Sequence, residues 1–279
     1  MQIQDALIGG LNNLKQQNID TAYTEVTILL QHALKKNLEY LLLYPERMLS
    51  EQELCTFEDY IKRRMKFEPI SYIVGTKEFY DNVFKISDEV LIPRPETETL
   101  IDAILSLKEL NTKLNILELG VGSGCIVITL MLKYLHWKAT ALDISRNAIN
   151  IAKTNAQMHG VDKRIAFVES DWFQNISGKF DLIISNPPYV DHKDTSMMSC
   201  EVLMYEPREA LFADQSGLSS YCSIFSGAKK HLNKNGYIVI EIGYNQLDPI
   251  KHLMNTYGFI THAIFKDLDG WNRVLVCKT

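Results

Sequence analysis

The chain has 279 residues, 46% of them hydrophobic, and its 29 Lys and Arg against 34 Asp and Glu leave a formal charge of −5. That size suits one large domain, or a main domain with a smaller one. The acidic balance argues against a non-specific nucleic-acid binder, and five cysteines without a CxxC pair argue against a disulfide framework or a zinc site.

The first residues, MQIQDALIGG, lack a basic n-region and a long apolar core, so no signal peptide is expected. No apolar run approaches the roughly eighteen residues of a membrane span. The expectation is a cytoplasmic protein without a membrane partner.

From residue 1 to about 66 the apolar residues recur at helical spacing. Ile3, Leu7, Leu11 and Leu14 form one stripe, Ala22 to Leu34 a second, and Leu38, Leu41 and Leu42 begin a third. Ser50 followed by Glu53 is a capping box that opens a further helix. Its basic end, Lys62-Arg63-Arg64-Lys66, reads as a solvated helix terminus that complements the dipole. This is a small helical bundle, expected over 1–67.

The period then changes. Ile70, Tyr72 and Val74 alternate, and Asp81-Asn82 is a turn signal before Val83-Phe84-Lys85-Ile86. A β-hairpin linker over 68–92 is expected. Leu91-Ile92-Pro93-Arg94-Pro95-Glu96-Thr97-Glu98 follows, stiffened by two prolines, and Glu96 to Leu107 reads as a helix.

From 114 onward strands and helices alternate, with strand candidates at Leu114–Leu119, Ala139–Leu142, Ile165–Val168, Phe180–Ser185, Tyr237–Ile242, Ile260–Phe265 and Val274–Cys277. Helix candidates are Cys125–Leu135, Ser145–His159, Leu218–Leu232 and Gln246–Tyr257, with none between the last two strands. The expected fold class is α/β: a doubly wound, mostly parallel seven-stranded sheet with an antiparallel C-terminal hairpin, spanning 93–279, plus the N-terminal bundle.

Four strand ends carry chemistry. The first runs Glu118-Leu119-Gly120-Val121-Gly122-Ser123-Gly124 into a helix. Its GxGxG lets a ligand approach the backbone, and it is neither a dinucleotide GxGxxG nor a P-loop. The second ends at Asp143, placed to accept both ribose hydroxyls of a nucleoside. The third leads to Trp172, a stacking surface for an adenine. Taken singly, a GxGxG is weak evidence and an acid at a strand end is commonly a helix cap; their order on successive strands, with Asn186 on the fourth, is stronger.

The fourth, Phe180 to Tyr189, is an apolar run that stops at Ser185-Asn186-Pro187-Pro188-Tyr189. Two prolines forbid helix and ladder pairing there. An amide oxygen, carbonyls beside prolines and a flat ring suit a planar NH2 group. The plain alternative is a Pro-rich turn after a core strand.

Glycine loop, second-strand acid and NPPY together resemble a class I S-adenosylmethionine-dependent methyltransferase. Gly75-Thr76-Lys77-Glu78-Phe79-Tyr80, the 91–98 stretch and Glu206-Pro207-Arg208-Glu209-Ala210-Leu211 resemble the release-factor glutamine methyltransferases, the HemK/PrmC family. The resemblance covers residues from about 70 to 279 strongly and the bundle more weakly. Glu118 stands where the family more often has Asp. Ala213-Asp214-Gln215-Ser216-Gly217 is less glycine-rich than usual.

The resemblance implies methyl transfer from S-adenosylmethionine to the side-chain amide nitrogen (N5) of the glutamine in a Gly-Gly-Gln motif of class-1 peptide chain release factors. It implies that Glu118, Gly120, Val121, Gly122, Ser123, Gly124, Asp143, Trp172 and Asn186 hold the cofactor. Asn186, Pro187 and Tyr189 would carry catalysis, and Asn186 to Tyr189, Pro188 included, would bind substrate. The helical bundle would recognise the release factor, and no metal or direct nucleic-acid partner is implied. Two other readings stay open: an adenine-N6 or guanine-N2 nucleic-acid methyltransferase, and a cofactor-binding module without catalysis.

Overall fold

The computed structural model describes residues 1–107, 113–196 and 198–279. Two compact units divide the chain: Met1–Gly75 together with Met198–Tyr205, and the remainder.

The first unit is helical. It contains α1 (Ile3–Gln16), α2 (Ala22–Leu34), α3 (Leu38–Leu43), α4 (Glu51–Arg64) and the short α5 (Ile70–Val74). Ile3, Ala6, Gly10 and Leu14 of α1 are buried, one per helical turn, against Val26, Leu29 and Leu30 of α2 and Phe57 and Ile61 of α4. The capping box forms as expected. The Ser50 hydroxyl accepts from the Glu53 N–H at 3.2 Å, and the Glu53 carboxylate accepts from the Ser50 N–H at 2.8 Å.

Two expectations fail here. The alternating run Ile70-Tyr72-Val74 is helical, not a strand. Pro69 precedes it with no N–H to give a ladder, and Gly75, at φ +75°, closes the single turn. Arg64 is not solvated: it is 3% exposed and bonds Glu25 at 2.6 Å. Its other partner, Glu201 at 2.6 Å, sits on α9 (Cys200–Tyr205), which the later chain contributes to this unit. Arg63 is likewise paired, with Glu68.

The second unit opens with the hairpin β1 (Thr76–Phe79) and β2 (Asn82–Lys85). Its turn is Tyr80-Asp81, both at positive φ, one residue earlier than expected. Then come α6 (Glu98–Ser106), β3 (Asn115–Leu119), α7 (Cys125–Lys133), β4 (Lys138–Asp143), α8 (Arg146–Met158), β5 (Ile165–Glu169) and β6 (Phe180–Ser185). Beyond the short β7 (Val190–Asp191) the chain reaches α9, β8 (Phe212–Ala213) and the one-turn α10 (Asp214–Gly217). It ends with α11 (Ser219–His231), β9 (Leu232–Glu241), α12 (Leu247–Thr256), β10 (Ile260–Lys266) and β11 (Asn272–Lys278). The β7–β8 parallel pair and α9 had no sequence signal strong enough to place them.

Seven strands form the central sheet in the order β10-β11-β9-β6-β3-β4-β5. β6, β3, β4 and β5 are parallel to one another and to β9, while β11 runs antiparallel to both β9 and β10. This is the expected sheet. Side chains alternate across it as strand geometry requires. Leu182 and Ile184 of β6 pack with α6, α7 and α8, whereas Ile183 packs with α11 and α12 on the other face.

The chain leaves β3 toward β4 and β5, then returns on its other side through β6. That reversal opens a crevice at the carboxyl ends of β3 and β6, where open α/β sheets bind ligands.

Candidate active site

A cavity of about 580 Å³ lies along that edge, lined by residues of the glycine loop, Asp143, Trp172, Asn186, Pro187 and Pro188. Its size falls within the range of pockets for small ligands and cofactors.

The glycine loop is shaped by its own backbone. Gly120, Gly122 and Gly124 have φ of +73°, +51° and +82°, which L side chains rarely adopt. A Cβ on Gly120 or Gly122 would meet nothing within 4 Å, so both present bare backbone to open space; one on Gly124 would strike Ile128 of α7 and Ala152 of α8. Val121 and Ser123 line the cavity; Gly124 does not. Gly124 closes the turn and seats two helices.

Asp143, at the end of β4, fixes the loop from the next strand. Its carboxylate accepts the Gly122 N–H at 2.9 Å and the Ser145 N–H at 2.9 Å. Each oxygen keeps a lone pair for a further donor. Burial pushes its pKa up, and the backbone N–H bonds oppose that.

Glu118 lies under the loop, fully buried and outside the cavity lining. One oxygen accepts the Val127 N–H at 3.1 Å, and the other has no partner. Burial, reinforced by the charge of Asp143, raises its pKa well above the usual carboxylate range. Glu118 supports the loop from behind rather than forming a wall.

Trp172 follows β5 in a left-handed conformation at φ +48°. Ser170, which the sequence reading passed over, holds that turn. Its hydroxyl donates to the Trp172 carbonyl at 2.8 Å and accepts from the Asn175 N–H at 3.0 Å.

The NPPY edge is held from farther away in the chain. The Asn186 amide nitrogen donates to the Thr97 hydroxyl at 3.1 Å. Thr97 in turn donates to one oxygen of Glu241 at 2.7 Å. The other oxygen of Glu241 accepts from the Tyr189 hydroxyl at 3.1 Å. The Tyr189 carbonyl accepts from the Gln246 side chain at 2.9 Å. Gly217 passes so close to this turn that a Cβ there would lie 2.1 Å from the Tyr189 carbonyl oxygen.

Tyr189 is half-buried and is not among the residues that line the cavity, and its hydroxyl is tied to Glu241. Burial and the Glu241 charge push its pKa up. Asn186, Pro187 and Pro188 do line the cavity.

Thr97 and Glu241 were missed as a pair. Thr97 stood within the two-proline stretch, and Glu241 is an acid ending an apolar strand at the ligand edge. That placement was their only signal. Glu241 is 1% exposed, and burial raises its pKa against the opposing pull of Thr97, Arg273 and Tyr189.

Arg94 also lines the cavity and pairs with Glu206 at 2.6 Å, joining the two-proline stretch to the segment after NPPY. His192 is about half exposed, stacks on Phe212 and is among the residues that line the cavity.

Known proteins sharpen the assignment. Residues 97–218 match the family model of the methyltransferase small domain, and residues 5–75 match that of the PrmC N-terminal domain. A bifunctional methyltransferase of Rickettsia bellii is 43% identical over 98% of this chain but only 54% of its own length. The chain thus spans about half the length of those relatives. A release factor glutamine methyltransferase of Coxiella burnetii is 37% identical over 95% of this chain and 96% of its own. One from Koribacter versatilis is 35% identical over 99% and 98%. A solved methyltransferase of Pyrococcus furiosus shares the fold, with a TM-score of 0.53 at 18% identity, over 77% of this chain and 96% of that one. Relatives matched end to end at this identity settle the kinship: the chain belongs to the family of the release factor glutamine methyltransferases.

Proposed function

We propose that this chain transfers a methyl group from S-adenosylmethionine to the side-chain amide nitrogen of the glutamine in the Gly-Gly-Gln motif of class-1 peptide chain release factors. The observation that carries the reading is Asn186. It stands at the carboxyl end of β6 on the cavity, its nitrogen tied to Thr97 and its oxygen left for a ligand.

The residues present suit the cofactor. The bare backbone of Gly120 and Gly122 admits close approach, Asp143 retains acceptor capacity for a ribose diol, and Trp172 offers an aromatic face. When bound, the cofactor supplies an electrophilic methyl on a sulfonium.

An amide nitrogen is a weak nucleophile, because its lone pair is delocalised into the carbonyl. Methyl transfer builds positive charge on it. Acceptors beside the nitrogen serve that better than a strong base. The Asn186 oxygen and the Pro187 carbonyl accept the two amide N–H bonds and turn the nitrogen toward the methyl group. Positioning of this kind supplies about 7–11 kcal/mol in well-aligned reactions. Glu241 fixes Tyr189 beside the site through its hydroxyl.

The helical unit, with exposed Leu42, Leu43, Tyr44 and Met48, serves as the substrate-recognition part, and the cytoplasm is where such a substrate is met. Among the described residues no helix is long and apolar enough to cross a membrane. The test is incubation with labelled S-adenosylmethionine and a purified class-1 release factor, followed by mapping of the modified residue. Label on the motif glutamine supports the reading. Label absent from release factor but present on nucleic acid overturns it.

A further inference from the structure

The amide of Asn186 has two nearly isosteric ends with opposite roles, and only the oxygen can accept from a substrate amide. Something must decide which end faces the cavity. The decision is made by the residue that Asn186 bonds, which does not carry an amide at all.

We infer that Thr97 is a positioning residue that sets the polarity of Asn186: by donating its hydroxyl proton to Glu241, it can only accept from Asn186, which turns the Asn186 nitrogen inward and leaves the oxygen for the substrate. The inference rests on the amide-methyltransferase reading of the site.

The geometry leaves little freedom. Thr97 is 2% exposed, and its hydroxyl has one proton. Glu241 is an acceptor on both oxygens, taking Thr97 at 2.7 Å and Tyr189 at 3.1 Å. With its proton spent on the carboxylate, Thr97 offers Asn186 only lone pairs, and the 3.1 Å contact must run from the Asn186 NH2. The opposite rotamer would set the Asn186 oxygen against an oxygen with no hydrogen between them. It would also point NH2 at the substrate NH2, donor against donor. Burial makes such a mismatch costly.

Three separate parts of the chain meet in this relay. Asn186 and Thr97 are 89 positions apart, and Thr97 and Glu241 are 144 apart. The 3-10 turn Pro95–Thr97 ahead of α6 places the hydroxyl, which gives the two-proline stretch a task beyond lining a pocket. Thr97 need not touch substrate to act.

The decisive experiment compares Thr97→Ser and Thr97→Val in steady-state methylation of release factor, with S-adenosylmethionine affinity measured by calorimetry. Valine keeps the shape and removes the hydroxyl; serine keeps the hydroxyl and removes a methyl. We expect Thr97→Val to lose about ten-fold or more in kcat. Cofactor affinity and KM for release factor should stay near wild type, and Thr97→Ser should recover most of the turnover. A merely structural role would lower thermal stability and move all constants together, with serine no better than valine.

Near wild-type kcat in folded Thr97→Val overturns the relay. Should valine not fold, Thr97→Cys takes its place; near wild-type turnover there overturns the relay, and a fall rescued by serine supports it. If wild-type protein itself fails to label the release-factor glutamine, the functional reading fails instead, and the two failures are distinct.

Discussion

The two walls of the cavity are built on different scales. On the glycine-loop side, the bonds that shape the site are close in sequence. Asp143 holds Gly122 across 21 positions, and Ser170 holds Trp172 across two. On the NPPY side, Asn186, Tyr189, Thr97 and Glu241 form one network whose hydrogen bonds span 52 to 144 positions. The first wall is backbone shaped by local rules. The second is a short rigid turn whose chemistry is set by side chains brought in by the sheet.

The largest effect should follow from removing the reacting-side acceptor. Asn186→Ala is expected to cut turnover by about 10²-fold or more, the scale for losing one preorganised partner of a reacting group. Labelled-methyl transfer at saturating cofactor reads this, and cofactor affinity should move far less. Equal losses in both would dissolve the distinction between the walls.

Gly217→Ala comes next. It sits at φ +79°, and its Cβ would press on the Tyr189 carbonyl, so the NPPY turn must shift. A stability cost of about 2 kcal/mol or more is expected. Turnover should fall as well, with cofactor binding largely kept. A melting temperature equal to wild type would show that the turn is not held as tightly as the contact implies.

Asp143→Ala tests the other wall. Removing the carboxylate frees the Gly122 N–H and takes away the ribose acceptor, so affinity for S-adenosylmethionine should weaken by about ten-fold. Turnover at saturation should change little. Calorimetry with wild-type affinity would sink the assignment.

The smallest effect is a pH effect on stability. Asp267 has its pKa lowered by the Trp271 N–H and Arg273, against the cost of burial. A depressed carboxylate stabilises above its unfolded pKa, and the gain is lost as pH falls through the folded one. Asp267→Asn should therefore be less stable than wild type at neutral pH, with the gap closing toward acid. Urea melts at pH 7 and pH 3 would show a constant gap if the ionised form were irrelevant.

The same contrast explains what could be read from the chain. The sheet, its order of helices and the loop Gly120–Gly124 were legible, because glycine spacing and apolar period act over a few residues. Asp143 and Asn186 were legible as polar residues at strand ends. Thr97 with Glu241 was not, because no local rule links a threonine after two prolines to an acid 144 positions later. Tyr189 was legible as a ring beside the site, but the bond of its hydroxyl to the buried Glu241, 52 positions later, was not. Ile70-Tyr72-Val74 misled because five residues are too few to separate period two from one helical turn, and Pro69 and Gly75 decided it.

Arg64 leaves a mark on how this protein is made. Its first carboxylate partner, Glu25, precedes it, but Glu201 lies 137 positions downstream. Translation adds about 5–20 residues per second, and domains tend to fold as they emerge. The helical unit must therefore spend seconds of synthesis with Arg64 half matched, waiting for α9 to arrive after most of the central sheet's strands. A gene cut after Gly75 would freeze that unfinished stage permanently. Any dissection of the protein into halves has to carry residues 198–205 with the N-terminal piece, by tether or by added peptide, to reproduce the unit that the intact chain completes.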